Sequence, residues 1–267
     1  MTYRVPVITL KMSRILSKFG SSARLEVFSD LDELSLQAAM GFVREARRTV
    51  ETEGRFTVCL SGGSTPRATY SLLAKEPLRT EVPWNAVHIF WGDERCIPLD
   101  QRDNHYTMTY DLMLSKVPIP AQNIHRMRGE AKDPEEAAKD YEAMLGSFFR
   151  LRPNEFPNFD LILLGMGEDG HTASLYPGTP GLKETRRLVI SHYVPQRRQR
   201  RLTLTIPTIN HARQVMFLVA GAAKAHALRE VWADEAPGLN LPSAYVKPDR
   251  GRVVWLVDQD AARWLIL

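Results

Sequence analysis

A chain of 267 residues, 44% of them hydrophobic, has enough apolar side chain to bury a large core within one α/β domain. The formal charge of +4 comes with one basic cluster, Arg197, Arg198, Arg200 and Arg201, which has no interleaved aromatic and no nucleic-acid motif beside it, so small anions rather than nucleic acid are the expected partners. Cys59 and Cys96 are too few and too far apart for a disulfide framework or a zinc site, which points to a reducing, cytoplasmic compartment, and no apolar run is long enough to enter a membrane as a spanning helix.

Residues 1–22 carry Arg4, Lys11, Arg14 and Lys18 and no acid, the composition of a weak transit peptide. A frayed tail, or a true start at Met12, accounts for it better. The first strand is expected at residues 24–28, so residues 1–23 are read as a poorly ordered N-terminal extension and 24–267 as a single domain. Asp30 followed by Glu33 is a helix-start signature, and Leu31, Leu34, Ala38, Phe42, Ala46 and Val50 recur at helical spacing. Residues 56–60 read as a strand running into Ser61-Gly62-Gly63-Ser64-Thr65-Pro66, with a helix at 68–74 behind that loop. A strand at 87–91 ends in Gly92-Asp93-Glu94-Arg95, and helices follow at 104–115 and 134–149. The apolar run 159–164 is a fully buried strand; strands at 202–206, 215–219 and 253–257, with a helix at 222–232, complete the alternation. The pattern predicts an α/β fold, a doubly wound, mostly parallel sheet with helices on both faces and room for a small elaboration. Residues 236–251, bearing Pro and Gly, are the loosest stretch and read as a surface excursion.

Three of the loops concentrate reactive groups. The turn from Ser61 to Pro66 leaves a strand and opens a helix, so the backbone N–H groups of Gly62 and Gly63 and the hydroxyls of Ser64 and Thr65 gather at a helix N-terminus and form a cradle for phosphate. It lacks the lysine of a P-loop and the spacing of a dinucleotide fingerprint, and a plain glycine turn capped by Ser64 or Thr65 would use the same residues. Asp93, Glu94 and Arg95 put two carboxylates and a guanidinium at the sheet edge; Arg95 suits a phosphate or an oxyanion, or braces its loop as an ion pair.

The richest stretch runs from Gly165 to Pro177, where Glu168, Asp169 and His171 stand among Gly165, Gly167 and Gly170. Glycine permits positive φ angles and close ligand approach. An imidazole of ordinary pKa about 6.5 can take a proton from water, with a neighbouring carboxylate holding its tautomer, so His171 is the candidate general base. No second His or Cys lies at metal-ligand spacing from it, and no metal is expected. His88, His105, His125, His192, His211 and His226 lack a glycine setting and are read as structural or solvated. Arg201 and Lys224 are basic residues at sheet ends, placed to share a phosphate or to be ordinary surface charges.

In order and spacing, Ser61-Gly62-Gly63-Ser64-Thr65-Pro66, Trp91-Gly92-Asp93-Glu94-Arg95, Arg128-Gly129-Glu130, the stretch from Gly165 to Pro177, Arg201-Leu202-Thr203-Leu204-Thr205 and Gly221-Ala222-Ala223-Lys224 resemble the 6-phosphogluconolactonase family. The match runs from Arg24 nearly to the end of the chain. The resemblance implies a fold of the glucosamine-6-phosphate deaminase type and a carboxylic ester hydrolase that opens 6-phospho-D-glucono-1,5-lactone to 6-phosphogluconate without metal or organic cofactor. It implies His171 as the base that activates water, Asp169 as its supporting carboxylate, Arg95 as the group that steadies the oxyanion, and Ser64, Thr65, Arg201 and Lys224 as phosphate ligands; Gly62, Gly63, Asp93 and Gly167 complete the substrate-binding set. The expected partner is a small sugar-phosphate lactone, bound by a monomer or weak homo-oligomer. One departure is visible: many family members read Asp-Ser-Asn-Tyr where this chain has Asp103-Asn104-His105-Tyr106. The related deaminases continue the main loop with Phe-Asn-Glu-Pro and use the Glu in proton transfer, whereas Ser174-Leu175-Tyr176-Pro177 has no carboxylate there. A non-catalytic sugar-phosphate sensor would need a DNA-reading module, for which the residues before Arg24 are too few.

Overall fold

The computed structural model describes residues 14–17, 23–233 and 241–265. The readings of a transit-like tail and of a surface excursion fall partly on residues 1–13, 18–22 and 236–240, which lie outside the described residues.

Strand β1 (Arg14–Ser17) pairs antiparallel with β2 (Ala23–Phe28), so part of the stretch read as an extension forms an edge strand. Helix α1 (Leu31–Glu53) begins where Asp30 accepts the Glu33 N–H at 2.9 Å while the Glu33 carboxylate accepts the Ser29 N–H at 2.8 Å. That reciprocal cap satisfies N–H groups with no helical partner, and Gly54 ends the helix at φ 77°. Its buried stripe, Leu34, Ala38, Phe42 and Ala46, faces β2, β3, β10 and β11.

β3 (Phe56–Leu60) is buried along its whole length and leads through the Ser-Gly-Gly turn into α2 (Pro66–Leu73), with α3 (Leu78–Glu81) and β4 (Val87–Trp91) behind it. Gly92 alone separates β4 from β5 (Asp93–Arg95). α4 (His105–Leu112) is shorter than the helix expected at 104–115, because Asn104 caps it by accepting the Thr107 N–H at 3.0 Å and a 3₁₀ turn follows Met113. β6 (Ile124–His125) and α5 (Pro134–Phe149), capped by Asp133, precede β7 (Leu161–Gly165), β8 (Val189–Val194), β9 (Gln199–Leu204) and α6 (Ile206–Asn210). β10 (Gln214–Val219), α7 (Ala225–Trp232), β11 (Arg252–Asp258) and α8 (Gln259–Ala262) close the chain; the first turn of the helix expected at 222–232 is 3₁₀.

Among the described residues the main sheet runs β1-β2-β11-β10-β7-β3-β4-β6, with every pair parallel except β1 with β2. The strand expected at 202–206 does not join it. It is β9, the centre of a separate antiparallel sheet β5-β9-β8. The alternation of Arg201 and Thr203 with Leu202 and Leu204 suits an antiparallel strand, whereas the parallel strands, buried on both faces, read as continuous apolar runs.

From β3 the chain winds outward through β4 and β6, then returns to β7 on the other side of β3 and winds away through β10 and β11. The carboxyl ends of β3 and β7 therefore flank the point where the strand order reverses, which is where open α/β sheets bind ligands. Their register is pinned by Asp160, whose carboxylate accepts the Thr57 N–H at 2.8 Å and the Thr57 hydroxyl at 2.7 Å. Asp160→Ala is expected to cost about 2–3 kcal/mol by leaving these buried donors unpaired; an unchanged urea midpoint would show that the pair adds nothing. No helix of the described residues is long and apolar enough to cross a membrane.

Candidate active site

The loops after β10, β7, β3 and β4, four neighbours in the sheet, line one cavity of about 430 Å³ together with residues of the small sheet. It brings together Gly62, Gly63, Ser64, Thr65, Asp93, Arg95, Gly167, His171, Arg201 and Lys224, while Asp169 stands behind His171.

Asp169 Oδ1 lies 2.5 Å from His171 Nδ1 and also accepts the His171 backbone N–H at 3.1 Å. Burial works against this carboxylate's charge, yet its hydrogen bonds with His171 prevail and hold its pKa down at about 2. The Asp169 anion fixes the proton on Nδ1, which leaves Nε2 as the ring nitrogen free to take a proton. The imidazole stacks on Tyr176 with ring centroids 4.0 Å apart at 15°, and the Tyr176 hydroxyl accepts from Arg197 Nε at 3.3 Å. The glycines of this loop act differently from one another. Gly170 takes φ 73°, as a turn residue without a side chain can, whereas Gly167 is required by contact, since a Cβ there would fall 1.9 Å from His171 Nδ1. Gly165 meets neither constraint. Glu168 is set apart from the imidazole and pairs with Lys224 at 3.8 Å.

The cationic wall follows from strand pairing. Arg95 in β5 and Arg201 in β9 are direct cross-strand partners, which sets two guanidinium groups side by side. Like charges in that position repel, so the arrangement gains from an anion between them. Arg201 is buried, and among the described residues its Nε has no hydrogen-bond partner; burial lowers its pKa from the usual value even though Asp93 lies nearby. An unpaired buried guanidinium N–H is costly. Arg95 is held at the mouth by Asp103, whose backbone carbonyl and carboxylate both accept from it.

Opposite lies the Ser-Gly-Gly turn. Among the described residues the Thr65 hydroxyl makes no capping bond to α2 and the buried Ser61 hydroxyl has no partner, so neither hydroxyl is consumed by helix capping. Gly63 takes φ 98°. Asp93 is buried and fixed by the Ser174 hydroxyl at 2.6 Å. Among the described residues no cluster of His, Cys, Asp and Glu could hold a metal ion.

The Ser-Gly-Gly turn, the Asp-bound imidazole and the paired guanidiniums thus stand together at the reversal of a parallel sheet. The family described as glucosamine-6-phosphate isomerases/6-phosphogluconolactonase covers residues 29–255. The chain belongs to it. A 6-phosphogluconolactonase of Synechocystis sp. is 46% identical over 214 residues, 80% of this chain and 86% of the relative. One of Nostoc sp. is 40% identical over 237 residues, 89% of this chain and 96% of the relative. Among solved structures, 6-phosphogluconolactonase from Trypanosoma brucei superposes with a TM-score of 0.81 at 30% identity, covering 90% of this chain and 98% of that one. A monomeric glucosamine-6-phosphate deaminase shares the fold, with a TM-score of 0.74 at 21% identity over 90% of this chain and 98% of that one.

In this member of the glucosamine-6-phosphate isomerase/6-phosphogluconolactonase family, sequence reasoning misses several cavity residues. Tyr176, Arg197 and Gln199 line it beside the expected set, and the period of two along β9 carries the cavity-facing side from Arg201 to Gln199. His105, read as structural or solvated, is buried and also lines the cavity: it follows the Asn104 cap, and the start of α4 turns its ring inward against Gly62. The remaining histidines read as structural or solvated stand outside the cavity, with His192 bound to the Ser174 carbonyl at 2.7 Å and His88 against His125 at 3.2 Å.

Proposed function

We propose that this chain is a 6-phosphogluconolactonase, hydrolysing 6-phospho-D-glucono-1,5-lactone to 6-phospho-D-gluconate in the oxidative pentose phosphate pathway, with His171 as general base. The observation that carries the reading is the 2.5 Å contact of Asp169 with His171 in a cavity that also holds the paired Arg95 and Arg201 and the Ser-Gly-Gly turn. A lactone carbonyl is already electrophilic, so the reaction needs a positioned water, a base and charge stabilisation, and no enzyme nucleophile. Nε2 of His171 takes a proton from water as the hydroxide adds to the lactone carbon, while Asp169 balances the imidazolium. Arg95 steadies the oxyanion. On collapse the ring C–O bond breaks, the leaving ring oxygen receives the proton from His171, and the product carboxylic acid ionises. Ser64, Thr65, Arg201 and Lys224, with the amides of Gly62 and Gly63, hold the distant phosphate and orient the ring, turning remote binding into rate.

The deaminase reading is disfavoured at one position. Where that chemistry needs the Glu of Phe-Asn-Glu-Pro, this chain carries Tyr176, whose ring is stacked on His171. Residues 24–267 form the catalytic unit, acting as a monomer or weak homo-oligomer in the cytoplasm, a compartment suited to the free thiols of Cys59 and Cys96.

The test is a coupled assay at mildly acidic pH, in which glucose-6-phosphate dehydrogenase generates the lactone and 6-phosphogluconate dehydrogenase reports its opening. Product formation well above the spontaneous rate is expected, with no ammonia released from glucosamine 6-phosphate. A rate no faster than spontaneous opening would overturn the reading. In the same assay Arg201→Ala and Lys224→Ala should raise KM more than they lower kcat, since they act on ground state and transition state alike; the reverse split would move them to the reaction centre.

A further inference from the structure

His105 is one of the titratable side chains of the cavity wall to which the reaction assigns no role. His105 is the first residue of α4 and is buried, with 5% of its surface exposed. Its ring packs against Gly62, where a Cβ would fall 2.0 Å from Cδ2 and 2.2 Å from Nε2, so the missing side chain at position 62 is what admits the imidazole. Nδ1 faces the Asp93 carbonyl oxygen at 3.1 Å, the Asp93 carboxylate at 3.5 Å and the Glu94 carboxylate at 3.9 Å. With acceptors on that side, Nδ1 carries a proton. Glu94 is committed elsewhere, accepting the backbone N–H groups of Arg95, His105 and Tyr106, each at 2.8 Å.

Two buried carboxylates against one imidazole favour its charged form: burial opposes the proton, and Asp93 and Glu94 overcome it and raise the His105 pKa. Among the described residues no hydrogen-bond partner meets Nε2, the atom on the side of the Ser-Gly-Gly turn. His105 also stands between the main cavity and a smaller annex of about 210 Å³ that shares Gly63, Ser64 and Arg95 with it and adds Arg67 and Arg102. Asn104 and His105 are the two positions where this chain departs from the Asp-Ser-Asn-Tyr of many family members, and at 105 a neutral amide gives way to a group able to carry charge.

We propose that His105 is a further substrate-binding residue, donating a hydrogen bond from Nε2 to the phosphoryl group held by the turn from Ser61 to Thr65. The inference rests on the lactonase reading for the identity of the substrate and deepens it: this chain grips the phosphate with one more cation than a relative bearing Asn. A charge-assisted bond is roughly twice as strong as a neutral one, so an amide at position 105 keeps a donor and loses the charge.

The experiment is calorimetric titration of wild-type, His105→Asn and His105→Leu protein with 6-phosphogluconate and with inorganic phosphate, beside the coupled lactone assay. His105→Asn is expected to weaken 6-phosphogluconate binding about tenfold and to raise KM more than it lowers kcat, with His105→Leu weaker still. In wild-type protein labelled with ¹⁵N in its histidines, inorganic phosphate should shift the His105 Nε2 resonance, a readout that survives if a variant fails to fold. Wild-type affinity in both variants, or an unmoved Nε2 resonance under saturating phosphate, overturns the proposal. Wild-type protein that binds 6-phosphogluconate through His105 yet does not accelerate lactone opening would instead overturn the lactonase reading.

Discussion

Replacing His171 with alanine is expected to lower kcat by about 10²–10⁴-fold, the usual worth of general-base assistance. The substrate still opens spontaneously, so initial rates must be corrected for the uncatalysed reaction. Binding of 6-phosphogluconate should survive, because the turn after β3, Arg201 and Lys224 lie on other elements than the imidazole. His171→Ala protein with wild-type turnover would remove the imidazole from the reaction. Asp169→Asn probes the same dyad from behind. It keeps a hydrogen-bonding group beside Nδ1 while removing the charge that balances an imidazolium, so it should cost less than removal of the base itself.

A single methyl group at position 167 should do nearly as much harm. In Gly167→Ala the new Cβ would fall 1.9 Å from His171 Nδ1 and 2.5 Å from Asp169 Oδ1, far inside contact distance. Both members of the dyad must move, and misplacement of a catalytic group by about 1 Å can cost 10²-fold in rate. Gly167 is not in the left-handed region, so alanine meets no backbone strain there and the melting temperature should stay close to that of wild type. Gly170→Ala makes the contrast. There φ is 73° and Leu241 Cδ2 lies 2.6 Å from the would-be Cβ, so its loss is expected in stability as well as in rate. Near-normal kcat in Gly167→Ala would mean that the imidazole has another productive position.

Much of this architecture is legible along the chain, for identifiable reasons. The parallel strands announce themselves because burial on both faces demands unbroken apolar runs, as in Leu161–Gly165. Helix α1 is legible because its cap is local, with donors and acceptors within four residues. The loop from Gly165 to Pro177 is legible because it packs three glycines, two acids and a histidine into a few positions. The misses have a different character. β9 fits the expected alternation but joins β5 and β8, since nothing local tells a strand which edge will accept it. The loop glycines look alike in sequence, and only Gly170 among the three needs a positive φ. His105 reads as ordinary because its surroundings are set by Asp93, Glu94 and Gly62, none of which lies within ten positions of it.

Sequence by itself determined the class of fold, the order of most of the parallel strands and the longer helices, and the spacing of Asp169 and His171 two residues apart, because each depends on periodicity or on neighbours along the chain. Tertiary structure decided which loops share a cavity, and it did so through pairing. β3 beside β7 sets the turn next to the dyad, β5 beside β9 sets Arg95 against Arg201, and the start of α4 turns His105 inward onto Gly62. Those juxtapositions join groups up to about a hundred residues apart, and their energies arise from burial and charge that exist only once the sheet has formed.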